Sequence, residues 1–155
     1  MPDVRLLEGS FDSGSQLDQF AARNPEAGGI VSFFGQVRSE ANGHGGVEVL
    51  ELRHFGPLTL PGMVSLGELA ESRWELDGLL ILHRTGPMLP GDPIVLVAAA
   101  ARHRRDAFAA TDFVMDHLKS DSWFWKRERR DGIWHWIEPR QQDHADISRW
   151  DSLAS

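Results

Sequence analysis

The stretch DPIVLVAAAARHRRDAFAATDFVMDHLK, residues 92–119, carries two hydrophobic patterns end to end. Its first part is a near-continuous apolar run, as expected of a buried strand, and RDAFAATDFVMDHLK sets Ala107, Ala110, Val114 and Leu118 along one side of a helix. Upstream of it, LDGLLILHR reads as a second strand, joined to the first by the Gly/Pro turn TGPMLPGD. Within HRTGPMLPGD, His83, Gly86, Gly91 and Asp92 are read as structural turn residues. Downstream, WFWKRER and IWHWIEP flank RDG, the pattern of a β-hairpin with an Asp-Gly turn.

The rest of the chain extends the same reading. SQLDQFAARN is helical behind a Ser cap, with Leu17, Phe20 and Ala21 at helical spacing, and AGGIVSFFGQV is a strand. SEANGHGG is a turn or mobile loop, and VEVLELRHF a strand with one wet face. MVSLGELAESRW is a helix whose stripe is Met63, Leu66, Leu69 and Ala70, with Pro61 near its first turn. Strands and helices mix without strict βαβ alternation, which predicts an α+β fold. No repeat or linker divides the chain, so residues 1–140 are expected to form a single domain and residues 141–155 a polar, mobile tail.

Composition removes several function classes. The 155 residues carry a formal charge of -7 and 41% hydrophobic side chains, enough for a real core but wrong for binding nucleic acid through bulk positive charge. No apolar run approaches the roughly 18 residues of a membrane span, and MPDVRLLEGS lacks a secretory signal, so a cytoplasmic location is expected. With no cysteine, the chain has no disulfide, no thiolate metal site and no thiol of its own to act as nucleophile or sulfur carrier. The seven His are scattered, and no HExxH, P-loop or GxGxxG pattern occurs, so neither a metal nor a cofactor is expected.

Local charge departs from the acidic whole. HLKSDSWFWKRERR, residues 117–130, sets Trp123, Phe124 and Trp125 against lysine and arginine. Strand alternation sends Trp123, Trp125 and Arg127 to one face and Phe124, Lys126 and Glu128 to the other, with Trp134 and Trp136 adding to the surface and His135 a bystander. Such a surface suits cation–π contacts or a heteroaromatic ring, and equally an interface or core filling. RHRR, Arg102 to Arg105, lies where a strand meets a helix N-terminus, a setting for an anion or merely for solvated side chains. Lys119 shares a helix face with Met115, which suits either a half-buried lysine of lowered pKa or one complementing the helix C-terminus. Arg38 follows a strand and a glycine, as in a ligand loop or at an exposed strand end.

Phe34 to Arg38 (FGQVR), Leu82 to Gly86 (LHRTG) with Pro90-Gly91-Asp92, His103-Arg104 before Ala107-Phe108, and Met115 to Lys119 (MDHLK) before Phe124 to Glu128 (FWKRE) are weak motifs singly and specific in this order. Over roughly Gly28 to Arg140 the chain resembles the family of the large, catalytic subunit of molybdopterin synthase. Gln36 stands where that family often has lysine, and Phe55 where it often has tyrosine.

The resemblance implies an α/β hammerhead-like fold with mostly antiparallel strands. It implies a sulfurtransferase of molybdenum cofactor biosynthesis that converts cyclic pyranopterin monophosphate into molybdopterin. The sulfur would come from the C-terminal Gly-Gly thiocarboxylate of a small ubiquitin-like carrier subunit, within a heterotetramer built on a homodimer of large subunits. By the same resemblance Lys119 and Lys126 are catalytic and substrate-contacting, while Gln36, Val37, Arg38, His103, Arg104, Arg127 and Glu128 bind substrate, and Arg140 reaches the neighbouring protomer's site. A sulfur-inserting protein without a thiol must receive its sulfur on another carrier, so composition agrees. Two rivals use the Trp-rich hairpin: a non-catalytic module docking a partner tail or nucleotide, and a single-stranded nucleic-acid binder, which the acidic charge disfavours.

Overall fold

A computed structural model describes residues 1–41, 44–120, 123–138 and 141–151, with the backbone alone for residues 41, 44, 45 and 141–144. In chain order the elements are β1 (Asp3–Leu7), α1 (Ser13–Arg23), β2 (Gly29–Gln36), β3 (Glu40–Ala41), β4 (His44–Gly46), β5 (Val49–His54), α2 (Gly56–Arg73), β6 (Gly78–Arg84), β7 (Gly86–Met88), β8 (Pro93–Ala101), α3 (Arg104–Ser120), β9 (Phe124–Arg130), β10 (Ile133–Ile137) and α4 (Gln141–Ser148).

The apolar run is β8, an inner strand of a sheet ordered β1-β6-β8-β2. Both faces of β8 are covered, which explains why its sequence does not alternate. Val95, Val97, Ala99 and Ala101 face α2 and α3, packing with Leu79, Ile81, Met63, Leu66, Phe113 and Val114. Leu96, Ala98 and Ala100 face the other way with Leu80 and Leu82, against Phe20 of α1. A second sheet runs β10-β9-β5-β7, and β3 and β4 form a short ribbon inside the Gly/Asn-rich segment. Only β1 and β6 pair in parallel among the described strands. The α+β class with mostly antiparallel strands and a C-terminal hairpin is therefore the observed architecture. No helix among the described residues is long and apolar enough to cross a membrane.

Thr59 joins the second sheet to the helices. Its fully buried hydroxyl accepts from the Phe55 N–H at 3.0 Å and donates to the Trp123 carbonyl at 2.8 Å, fixing the start of β9 to the first turn of α2. The hairpin closes through Asp131 and Gly132, at φ 52° and 75°, the left-handed pair that an Asp-Gly turn supplies. The Gly132 N–H then donates to Glu48 at 2.8 Å, which tethers the turn to the residue before β5.

Several local expectations change. α2 starts at Gly56, with Pro57 in its first turn, and Pro61 lies inside the helix, where its missing N–H removes one backbone bond. The cap of α1 is Asp12 rather than a serine, its carboxylate accepting from the Ser15 N–H at 3.0 Å. The turn between β6 and β8 contains the short strand β7, hidden in sequence by its Gly-Pro pair, with Met88 only 1% exposed.

The segment expected as a mobile tail contains α4 and an anchor. Trp150 is 6% exposed and packs edge-on against Trp74 and Phe113 at 5.7 and 5.4 Å, while its indole N–H donates to Asp116 at 2.6 Å. Arg149 adds ion pairs to Asp112 and Asp116, both at 2.7 Å. One large apolar ring outweighs the polar composition around it. Trp150→Ala is expected to lower the unfolding free energy by about 3 kcal/mol in urea titration. Ile133→Ala, on an exposed strand position, should change it by less than about 0.5 kcal/mol.

Candidate active site

Pairing of β9 with β5 sets the two faces of the Trp-rich strand. Phe124, Lys126 and Glu128 lie opposite His54, Leu52 and Leu50, whereas Trp125, Arg127 and Arg129 lie opposite Arg53, Glu51 and Val49. The first set turns toward the core that holds Leu50, Leu52, Met88 and Val37. The second forms the outer face.

On the inner face the Phe124 ring stacks on His83 with centroids 4.0 Å apart and planes 18° from parallel. His83 is 6% exposed, and its Nδ1 lies 3.0 Å from the Arg84 carbonyl. Burial lowers its pKa to about 4, against the pull of that carbonyl, and the positive charges of Lys119 and Lys126 push it the same way. One buried ring thus feels both lysines, one from the end of α3 and the other from β9. Lys119 itself is exposed, not half-buried as its proximity to Met115 suggested: in the last turn of α3 it is Leu118 that packs into the core.

Arg38 belongs to the same end of the sheet. β2 runs antiparallel to β8 with Gln36 opposite Pro93, and His83 is opposite Val95, so the exit of β2 and the His83 ring share one edge of the layer. A register shift between Gly35 and Gln36 re-aims the chain just before Arg38. Gln36 and Arg38 are exposed there. Val37 is 4% exposed within the Leu50–Leu52–Met88 cluster, its N–H donating to the Asp92 carbonyl and its own carbonyl accepting from the Gly91 N–H, so it supports the loop and presents nothing to a ligand.

Other expected members lie elsewhere. His103 and Arg104 sit at the opposite end of α3, and the fifteen residues from Arg104 to Lys119 correspond to about 22 Å of helix. There Arg104 and Arg105 border an open hollow of about 710 Å³ with Trp74, Phe108, Asp112 and Trp150. Arg127 is on the outer face, donating to Glu51 at 2.9 Å and lying 4.1 Å over the Trp134 ring and 5.5 Å from Trp136. Alternation turns it away from Lys126. Glu128 is on the inner face, within 3.2 Å of Arg130. Trp123 precedes β9, so alternation does not reach it, and its ring packs against Gly62 of α2, where an added Cβ would approach within 2.6 Å. Arg140 lies outside the described residues.

The outer face has its own electrostatics. Glu51 accepts from Arg127 and from Arg53, at 2.9 and 2.8 Å, and the Arg127 bond first of all holds its carboxyl below the ordinary range. Neither His83 nor His54 was among the site residues expected from the sequence. His83 continues the side of β6 occupied by Leu79 and Ile81, so a polar ring on an apolar face was the available signal. His54, register partner of Phe124, has a buried Nδ1 with no hydrogen bond among the described residues. No group of three or more His, Asp or Glu among the described residues is placed to hold a metal ion.

Residues 7–121 match the family model described as MoaE protein. The chain is 39% identical over 150 residues to a molybdopterin synthase catalytic subunit of Ralstonia nicotianae, an alignment covering 97% of this chain and 85% of that protein. Among solved structures it is similar to the molybdopterin biosynthesis MoaE protein of Burkholderia ambifaria, with a TM-score of 0.81 and 36% identity over 97% of this chain and 99% of that one. It is also similar to molybdopterin synthase from Staphylococcus aureus, with a TM-score of 0.79 and 26% identity over 89% and 98% of the two chains.

The geometry around His83 has a pH signature. Its folded pKa of about 4 lies below the ordinary 6.5, so on acidification the unfolded chain takes up the proton first. Stability contributed by the neutral ring is present above about pH 6.5 and lost as pH falls toward 4. Urea midpoints measured across that window should fall more steeply for the wild type than for His83→Phe; parallel curves would contradict the assignment.

Proposed function

The chain belongs to the MoaE family, that of the catalytic subunit of molybdopterin synthase, a sulfurtransferase, and on that premise we propose how its residues divide the reaction. Lys119 and Lys126 act at the sulfur-transfer centre. The observation that supports this is that the charges of both, one at the end of α3 and the other on β9, act on the same buried imidazole. Sulfur arrives as the C-terminal thiocarboxylate of a small ubiquitin-like subunit, consistent with a chain that has no cysteine. The acceptor is cyclic pyranopterin monophosphate, which receives two sulfurs as the dithiolene of molybdopterin.

Once the thiocarboxylate sulfur has bonded to the acceptor carbon, water adds to the acyl carbon and the acyl C–S bond breaks, leaving carboxylate on the carrier and sulfur on the acceptor. The tetrahedral species between bears extra negative charge, and an ammonium group fixed beside it lowers that barrier. Two anions, the phosphate and the thiocarboxylate, also have to approach each other, and fixed cations in a partly desolvated site offset their repulsion. Arg38 takes the phosphate in this reading, which its exposed position just past β2, at the same end of the sheet, supports. Gln36 is a neutral hydrogen-bonding group beside it, weaker toward phosphate than a lysine would be. Glu128 shares the inner face with Lys126 and belongs to the same site in this reading, and Arg127 braces the hairpin from the outer side through Glu51 and Trp134.

His103 and Arg104 enter the site from a second protomer. About 22 Å of helix separates them from Lys119 in their own chain, too far for one small substrate to span. The homodimer within a heterotetramer supplies that second copy, and Arg140 is carried as a further contact of the same kind. The complex is read as cytoplasmic, acting on a small molecule without nucleic-acid or membrane partners. Family membership favours this catalytic reading over a non-catalytic module on the Trp-rich face.

The test is product formation from a thiocarboxylated small subunit and cyclic pyranopterin monophosphate. Lys119→Ala should form no detectable molybdopterin while keeping its melting temperature and its complex with the small subunit. Near-normal turnover by that variant would remove Lys119 from the chemistry.

A further inference from the structure

We propose that His83 is a positioning residue for Lys119 and Lys126: clamped between the Phe124 ring and the Arg84 carbonyl, its imidazole fixes the junction from which both lysines emerge. The inference rests on the catalytic reading above and adds to it a residue that touches neither substrate nor carrier.

The clamp joins separate parts of the fold. His83 is on β6, inside the first sheet, whereas Phe124 opens β9 in the second. Their stack at 4.0 Å pins the first residue of β9, and Lys126 follows two residues later on the same face, about 7 Å along the strand. A carbonyl only accepts, so the 3.0 Å contact with Arg84 puts the proton on Nδ1 and leaves Nε2 as the acceptor of the ring. The ring therefore has one tautomer and one orientation.

Packing alone does not call for histidine here. Its side of β6 is otherwise Leu79 and Ile81, and a phenylalanine or leucine would fill such a slot without burying polar atoms. Burying an imidazole is unfavourable unless its hydrogen-bonding groups are used, and here one of them locks the ring plane. The groups facing it are Lys119 from α3 and Lys126 from β9, with His54 of β5 across from the stacked Phe124. The Arg84 guanidinium is held elsewhere, 3.5 Å from Asp92 and 3.3 Å from the Pro87 carbonyl. Burial first, and then the charges of both lysines, keep the ring neutral, so it adds no third cation beside them.

The experiment compares wild type, His83→Phe and Phe124→Leu in complex with thiocarboxylated small subunit, measuring kcat, KM for cyclic pyranopterin monophosphate, the pH profile of kcat, and the melting temperature. His83→Phe keeps an aromatic ring but loses the locking bond; Phe124→Leu keeps the imidazole but loses the stack. Both should lower kcat by about tenfold to a hundredfold with KM within about twofold, because a shift of about an ångström in a reacting group has that effect, and both should displace the pH profile, because the solvation and spacing of the two lysines change. His83→Asn, whose amide can restore the bond to the Arg84 carbonyl, should recover part of the loss. A folded His83→Phe with wild-type kcat and pH profile would overturn the proposal, as would failure of both His83→Phe and Phe124→Leu to fold, which would make the role purely structural. Absence of product from the wild type would instead overturn the catalytic reading itself, so the two failures are distinguishable.

Discussion

Burial of β8 on both faces is the constraint from which the rest of the architecture follows. A strand of Val, Leu and Ala with no wet side needs cover above and below, which α1 provides on one face and α2 with α3 on the other. Since α3 begins three residues after β8 ends and packs back over β8 and β2, its two termini lie at opposite edges of the sheet. Lys119 comes to the edge where β6 presents His83 and β2 releases Arg38, and Arg104 is left at the other. The division of the cations into two groups is a consequence of topology before it is a matter of chemistry.

The second sheet solves a different problem, that of holding a lysine against an apolar core. Lys126 emerges between Phe124 and Glu128 on the face that covers Leu50 and Leu52. Thr59 fixes the start of its strand, the His83–Phe124 stack fixes its height, and the outer face braces it through Arg127 between Glu51 and two indoles. The basic, Trp-rich stretch in an acidic chain thus has two separate meanings. Its inner residues Phe124, Lys126 and Glu128 turn toward the core, while on the outer face Arg127 lies against Trp134 and Trp136 of the partner strand.

Much of this was legible in the sequence, because periodicity reports burial directly. The unbroken run of β8, the Ala107–Leu118 stripe of α3, the Asp-Gly hairpin and the alternation of β9 all read correctly from local pattern. What local pattern misses is contact between distant segments. Trp150 looked like part of a polar tail until Trp74 and Phe113 received it, and Pro61 looked like a helix start because the preceding turn lacks a capping side chain. Within the site, the resemblance named Lys119, Lys126 and Arg38 but also grouped Arg127 with Lys126, which the strand's own alternation separates. His83 was taken as a turn residue, since its partner Phe124 lies some forty positions away and no spacing rule connects them.

In the proposed dimer, one working site draws Lys119 and Lys126 from one protomer and His103 and Arg104 from another. Subunit complementation tests it most directly. Lys119→Ala and Arg104→Ala chains, each inactive alone, are combined in equal amounts so that mixed dimers form, and molybdopterin production is measured with thiocarboxylated small subunit. A composite site predicts recovery to about one quarter of wild-type activity, because half of the dimers are mixed and each then holds one intact site of two. No recovery from verified mixed dimers would rule out a site shared between protomers.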